Sequence, residues 1–186
     1  MYWIRVSSQI DSDYISIIGN LLIYFELTFH FCGPALLDPI APQIKFSSAT
    51  QSSTYVQSST ADKAIDGNTD SSTHNVISHT GTTASGKTDP WWDGQLERLA
   101  IITKISVYNR VNNGVPSDRI KGFYLKIYRD GEEEKVFQFQ DASDTEEDRY
   151  DIYPNIAGSK LKIGLSGTNR ILELAEVEVF GYTLQE

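Results

Sequence analysis

The strongest constraint on the fold is a series of short segments in which apolar and polar residues alternate, separated by polar turns. The alternation is clearest in residues 123–128 (FYLKIY) and recurs in residues 104–109, 135–140, 160–165 and 174–180. No stretch of ten residues carries the apolar stripe of an amphipathic helix. Strands without intervening helices predict an all-β fold, an antiparallel sandwich or barrel.

The chain of 186 residues divides into a tail and one main domain. Residues 46–183 carry the alternating segments and are predicted to form the domain. Residues 1–45 contain an apolar run at 15–25 and prolines at 34, 39 and 42. This tail is either a signal-like apolar segment with a proline-containing linker or a truncated preceding region. The apolar run is too short and interrupted for a membrane span.

Composition narrows the class of function. The formal net charge of −9 repels phosphate backbones, so no nucleic acid partner is expected. Cys32 is the only cysteine, which excludes an intrachain disulfide. The sequence carries no nucleophile motif, no zinc-protease motif and no phosphate-binding loop, and has only three histidines. We therefore expect no enzymatic activity.

A long polar stretch at residues 57–89 is the first place to search for a site, because loops on a rigid sandwich often carry binding. It contains Asp66-Gly67-Asn68, a turn that can aim a carboxylate and main-chain carbonyls at one point, as calcium requires. Glu176, in the last alternating segment, could supply a second carboxylate. Taken alone, each is more simply explained as a turn residue or a solvated strand residue.

Three further side chains offer hydrogen-bond donors. His79 lies in the same polar stretch, ahead of the pair Trp91-Trp92, of which one is expected in the core. Arg110 and Arg119 flank a short excursion between two predicted strands. Guanidinium groups present fixed donors that suit the vicinal hydroxyls of a sugar. The simpler alternative for each arginine is a surface ion pair.

The order of these motifs resembles the discoidin, or coagulation-factor C-type, superfamily, and within it most closely the fucose-binding F-type lectins. The resemblance covers about residues 46–182. The segments that carry it are Ala49-Thr50-Gln51-Ser52-Ser53-Thr54, Lys63-Ala64-Ile65-Asp66-Gly67-Asn68, Ser78-His79-Thr80, Asp89-Pro90-Trp91-Trp92, Tyr108-Asn109-Arg110, Asp118-Arg119-Ile120-Lys121-Gly122 and Glu176-Val177-Glu178-Val179-Phe180-Gly181.

The resemblance implies an eight-stranded antiparallel jelly-roll β-sandwich, like galactose-binding domains, with a structural calcium ion and a sugar site at one end. His79, Arg110 and Arg119 would bind the sugar. Asp66 and Glu176 would supply carboxylates to calcium. Main-chain oxygens would come from Lys63, Asn68, Val76 and Ala175. We expect substitution of His79 by alanine to abolish sugar binding and leave the melting temperature nearly unchanged.

The sequence departs from the family pattern in the loop after Arg110. Asn112 stands where the family has an aspartate, and the two adjacent cysteines common there are absent. Asn112 cannot orient Arg110 by charge as an aspartate would.

The leading functional prediction is a secreted or extracellular, non-catalytic lectin domain for fucose- or galactose-containing glycans. Two alternatives stay open: a discoidin-type adhesion module for proteins or phospholipid head groups, and a carbohydrate-binding module detached from a larger glycosidase. Membrane contact is expected only through glycans or head groups. A homo-oligomer would be compatible with the function, because multivalency offsets weak single-site affinity.

Overall fold

The computed structural model describes residues 41–81 and 87–184, so the predicted tail lies outside the described residues up to residue 40. Strands dominate, and the two short helical segments in these ranges are 3-10 turns at Ala61–Ala64 and Asp118–Ile120. The strands are β1 (Gln43–Ile44), β2 (Phe46–Gln51), β3 (Ser78–His79), β4 (Trp91–Tyr108), β5 (Val111–Asn112), β6 (Val115–Pro116), β7 (Phe123–Tyr128), β8 (Phe137–Gln140), β9 (Arg149–Ile152), β10 (Ile156–Leu165), β11 (Glu173–Leu174) and β12 (Glu176–Thr183).

The long strand β4 organises the main sheet. Its first part, residues 91–96, pairs with β2 and β10. Its second part, residues 100–108, pairs with β12, with the start of β10 and, near its own end, with β9. The path of the sheet runs β1-β12-β4-β10-β7-β8, and every pairing among the described strands is antiparallel. The predicted all-β, antiparallel sandwich is confirmed.

The core is built from the inward residues of these alternating strands. In β7 the fully buried residues are Phe123, Leu125 and Ile127, which matches the alternation seen in the sequence. Burying side chains of this kind stabilises a fold by about 1.5–3 kcal/mol each. Trp92 is the predicted buried tryptophan and is fully inaccessible to solvent. A Cβ at Gly94 would lie 2.3 Å from the Trp92 ring, so no larger residue fits there.

Two features of the fold position the polar loops. The indole N–H of Trp92 donates to the carbonyl of Ala61 at 2.9 Å, which fixes the first 3-10 turn on the core. Strands β3 and β11 pair in a small separate sheet with Glu173 opposite His79. Each of these two contacts brings together segments that are far apart in the chain.

The predicted domain boundary at residue 46 falls inside the sheet, because β1 already pairs with β12 through Gln43 and Ile44. In the described part of the chain, no helix is long and apolar enough to cross a membrane.

Candidate functional site

Glu173 lies at the centre of a buried polar cluster. Its side chain is 1% exposed, and its Oε1 atom lies 2.9 Å from Nε2 of His79. The pairing of β11 with β3 explains this contact, because residues directly opposite each other in an antiparallel pair have neighbouring side chains. Sequence reasoning named His79 but did not select Glu173.

Both predicted sugar-binding arginines reach the same carboxylate. Nη1 of Arg110 lies 2.7 Å from Oε1 of Glu173, and Nη1 of Arg119 lies 2.8 Å from it. The hydroxyl of Ser117 donates to the other oxygen, Oε2, at 3.0 Å. The structure therefore brings His79, Arg110 and Arg119 together, as the motif order predicted, but it does so around an acid.

Four donors compensate the burial of this acid. Burial raises the pKa of the Glu173 carboxyl, but the hydrogen bonds and positive charges of its partners outweigh that effect and lower the pKa to about 2. The carboxylate is therefore ionised at neutral pH. Charge-assisted hydrogen bonds of this length are roughly twice as strong as neutral ones.

Three of these donors, His79, Arg110 and Arg119, differ in how much of the side chain is exposed to solvent. The side chain of Arg119 is 42% exposed and that of Arg110 is 19% exposed, whereas His79 is 2% exposed. Nδ1 of His79 also faces an acceptor, the carbonyl of Thr80, at 2.7 Å. Both ring nitrogens of His79 are thus engaged within the protein. The ring of Tyr55, itself 41% exposed, stacks on the imidazole with centroids 4.6 Å apart.

The loop that departs from the family pattern forms a tight hairpin. Strands β5 and β6 pair across Asn113 and Gly114, which both have positive φ values, 52° and 77°. Two consecutive residues with positive φ fit a type I′ turn, for which Asn-Gly is preferred. Asn112 is exposed in this hairpin. The acid that holds Arg110 comes instead from Glu173, on a different strand.

A second cluster surrounds Glu176, the first residue of β12. This residue is 2% exposed, and its Oε2 atom has no hydrogen-bond partner. Burial is the main cause that raises its pKa to about 7, and the negative charge of Asp66 adds to it, while the backbone N–H of Gly67 opposes it. The two predicted calcium carboxylates, Asp66 and Glu176, therefore lie close enough for their charges to interact. The expectation of a solvated strand glutamate is wrong here.

The Asp66 turn has the predicted form. Gly67 has a φ of 81°, and the backbone N–H of Asn68 donates to Oδ1 of Asp66 at 3.1 Å. Nζ of Lys63 pairs with Oδ2 of Asp66 at 3.1 Å, at a partly exposed position. Lys63 and Asn68 thus belong to the same turn as Asp66.

The two other predicted calcium ligands differ in placement. Ala175 is fully buried and directly precedes Glu176 in the chain. Val76 is half-buried in the loop before β3, where its backbone N–H donates to the carbonyl of Thr73 at 3.4 Å. Within residues 41–81 and 87–184, no three acidic, histidine or cysteine side chains are grouped as metal ligands.

Comparisons with known proteins agree with this architecture. The sequence model described as NedA-like, galactose-binding domain, of the F5/F8 type C group, matches residues 63–163, more than half of the chain. No curated protein sequence matches significantly.

Several solved structures are similar to this chain. One is a mutant of the lectin-binding domain of lectinolysin complexed with Lewis b, with 26% identity and a TM-score of 0.67 over 78% of this chain and 100% of that one. Another is the fucose-binding module SpX-3 of Streptococcus pneumoniae, with 27% identity and a TM-score of 0.65 over 76% and 99%. A third is the fucolectin from striped bass (Morone saxatilis) serum, with 29% identity and a TM-score of 0.59 over 73% and 47%.

Topology, motif order and sequence match agree, which confirms the predicted resemblance to the discoidin superfamily. The chain belongs to the galactose-binding-like F5/F8 type C family.

Proposed function

We propose that this domain is a non-catalytic carbohydrate-binding module for fucose- or galactose-containing glycans. The observation that carries the proposal is the pair of neighbouring guanidinium groups, Arg110 and Arg119, that share one buried carboxylate at the loop end. Each guanidinium has five N–H donors, and a single anchoring bond leaves others for a ligand. Vicinal sugar hydroxyls can accept from such pairs. The relatives that bind Lewis b or fucose support a sugar as the ligand.

The solvent exposure of His79, Arg110 and Arg119 indicates which of them would contact the sugar. Arg119 is the most exposed of the three and would make the main contacts with the sugar, with Arg110 beside it. His79 has both ring nitrogens in contact with protein acceptors, and the ring of Tyr55 covers it. It would therefore act on the sugar indirectly, by holding the carboxylate of Glu173. Tyr55 offers a partly exposed aromatic ring on the outer side of His79, on which the apolar face of a sugar can stack.

Calcium is the second part of the proposal. The buried, unpaired oxygen of Glu176 and the neighbouring carboxylate of Asp66 fit a hard cation that prefers oxygen ligands. These two residues would supply the carboxylates. Main-chain oxygens would come from the positions that the resemblance implies, Lys63, Asn68, Val76 and Ala175. The bound cation would neutralise both carboxylates and tie the Asp66 turn to the start of β12.

The alternative adhesion function needs exposed apolar loop tips, for which the sequence offers Tyr55-Val56 and Val76-Ile77. Ile77 is fully buried, and the ring of Tyr55 packs on His79. Val56 and Val76 are half-buried, so Tyr55 is the one exposed side chain of the four, and together they do not form the apolar loop tip that a lipid surface needs. Since the fucolectin among the relatives comes from serum, we place the domain outside the cell in this proposal.

A glycan array probed with the full chain in the presence of calcium tests the sugar function. We expect binding to fucosylated or galactosylated glycans, and loss of at least tenfold in affinity for Arg119→Ala. Arg149→Ala is the matched control, because Arg149 is a similarly exposed arginine in an ion pair on β9. Its affinity should equal that of the unsubstituted chain. An array without binding to any of these glycans contradicts the proposal.

A further inference from the structure

We propose that Glu173 is a positioning and specificity-determining residue: it fixes the two arginines for neutral sugars and disfavours acidic ones. This inference rests on the proposed function and extends it, because nothing in the motif order points to an acid at this position.

The geometry makes Glu173 the common anchor of the site. Three donors from three separate segments converge on one oxygen, Oε1, at 2.7–2.9 Å: His79 from β3, Arg110 after β4 and Arg119 from the second 3-10 turn. Ser117 holds the other oxygen. No other acidic group forms an ion pair with Arg110 or Arg119 among the described residues. Without Glu173, neither guanidinium would have a charged partner to fix its plane.

Glu173 also orients Arg110 by charge, which the loop after Arg110 cannot do. Asn112 is neutral and exposed in the β5–β6 hairpin. Glu173, 63 residues further along the chain, reaches Arg110 because β11 pairs with β3 beside it. In this chain the orienting charge therefore comes from the strand that faces His79 and not from the loop after Arg110.

The charge of Glu173 sets what the arginines can accept. Two guanidinium groups alone would present two positive charges, which attract carboxylates and sulfates. Glu173 cancels one of these charges and occupies the point where the donors converge. A sugar hydroxyl can accept from the outward N–H groups without adding charge, whereas an acidic sugar brings a second negative charge close to Glu173. The pair is thereby suited to neutral hydroxyls.

The test compares two sugars that differ at C6, galactose and galacturonic acid, by calorimetric titration against the full chain. For Glu173→Gln we expect the affinity for galactose to fall at least tenfold. We also expect the ratio of galacturonic acid affinity to galactose affinity to rise at least tenfold. Asp151→Asn is the matched control, because Asp151 also accepts from a serine and pairs with an arginine, outside this cluster. It should change neither quantity.

Two results would overturn the proposal. Weaker galactose binding with an unchanged ratio would make Glu173 merely structural. Equal or tighter galactose binding by Glu173→Gln would show that the carboxylate blocks the site.

A second measurement separates this inference from the proposed function. In the sugar-free protein, NMR should show resolved, slowly exchanging Nη–H signals for Arg119, which is unusual for a side chain that is 42% exposed. These signals should average in Glu173→Gln and persist in Asp151→Asn. If the unsubstituted chain binds neither sugar, the specificity role is overturned, the proposed function then depends on the fucosylated glycans of the array, and resolved signals still support positioning. Averaged Nη–H signals of Arg119 in the unsubstituted chain would overturn the positioning role of Glu173. This measurement needs no variant, so it applies even if Glu173→Gln does not fold.

Discussion

Two buried glutamates three positions apart, Glu173 and Glu176, have carboxyl groups whose pKa values are shifted in opposite directions. Both are nearly inaccessible, at 1% and 2% exposure. The pKa of Glu173 is lowered to about 2, whereas that of Glu176 is raised to about 7. One carboxylate has protein donors on both oxygens, and the other keeps an oxygen without a hydrogen-bond partner.

The difference shows that burial alone does not decide the state of an acid. Removing a carboxylate from water is costly in each case, and what matters is which groups compensate. At Glu173 the compensation comes from arginine, histidine and serine side chains of the protein. At Glu176 the negative charge of Asp66 adds to the cost of burial and one oxygen has no protein donor, so a cation or a proton would complete the compensation. The carboxylate of Glu173 needs no further partner, whereas at Glu176 the proposed calcium ion would supply the missing one.

The largest effect expected from this comparison is on the stability of Glu173→Ala. Removing one partner of a buried ion pair costs about 3–5 kcal/mol of unfolding free energy, because the remaining charges lose their partner. Chemical denaturation with EDTA present measures it. Glu176→Gln should lose little or nothing under the same conditions, because that change removes an uncompensated charge. Asp151→Ala, which breaks a more exposed ion pair, is the control and should cost about 1 kcal/mol or less. Equal losses for the two glutamates would remove the contrast between them.

The next effect is the response to calcium. A cation that binds only the folded form stabilises it by about 2.7 kcal/mol at one hundred times its dissociation constant. For a domain of this size the melting temperature should rise by roughly 5–12 °C. Thermal unfolding with calcium and with EDTA measures this shift.

Two variants locate the effect of calcium. Glu176→Gln should abolish the shift, because it removes a carboxylate that would bind the ion. Glu178→Gln, two residues along the same strand, should keep it, since Glu178 accepts from Tyr108 instead. An unchanged transition for the unsubstituted chain under EDTA would remove calcium from the proposed function.

Much of the fold was predictable because alternation reports burial directly. Residues 123–128 alternate in sequence and in exposure, and the strand has the predicted bounds. Alternation could not predict β1, because a strand of two residues has no period. It also could not predict that β4 continues from residue 91 to residue 108 through both parts of the sheet.

The candidate site was predictable only in part, for a related reason. Motif order selected His79, Arg110 and Arg119, and the structure brings them together. Glu173 was missed because an acid between two leucines in a strand is ordinarily expected to face solvent. A signal was present in the sequence: Leu174 and Ala175 are consecutive apolar residues, so alternation fails beside Glu173, and the structure buries all six residues from Leu172 to Val177. An acid inside a run that does not alternate indicates a buried partner.

The smallest expected effect is the difference between His79→Ala and Arg119→Ala in how much each lowers stability and how much each lowers sugar affinity. The sequence-based expectation was that His79→Ala leaves stability unchanged. The burial and two hydrogen bonds of His79 now predict a loss of about 1–3 kcal/mol, together with weaker sugar binding. Arg119→Ala should lose binding at a cost of less than about 1 kcal/mol, because its side chain is 42% exposed. Thermal unfolding and sugar titration of both variants measure the division. A stable His79→Ala that cannot bind sugar would instead make His79 a direct contact, and Glu173 would then have to move aside when sugar binds.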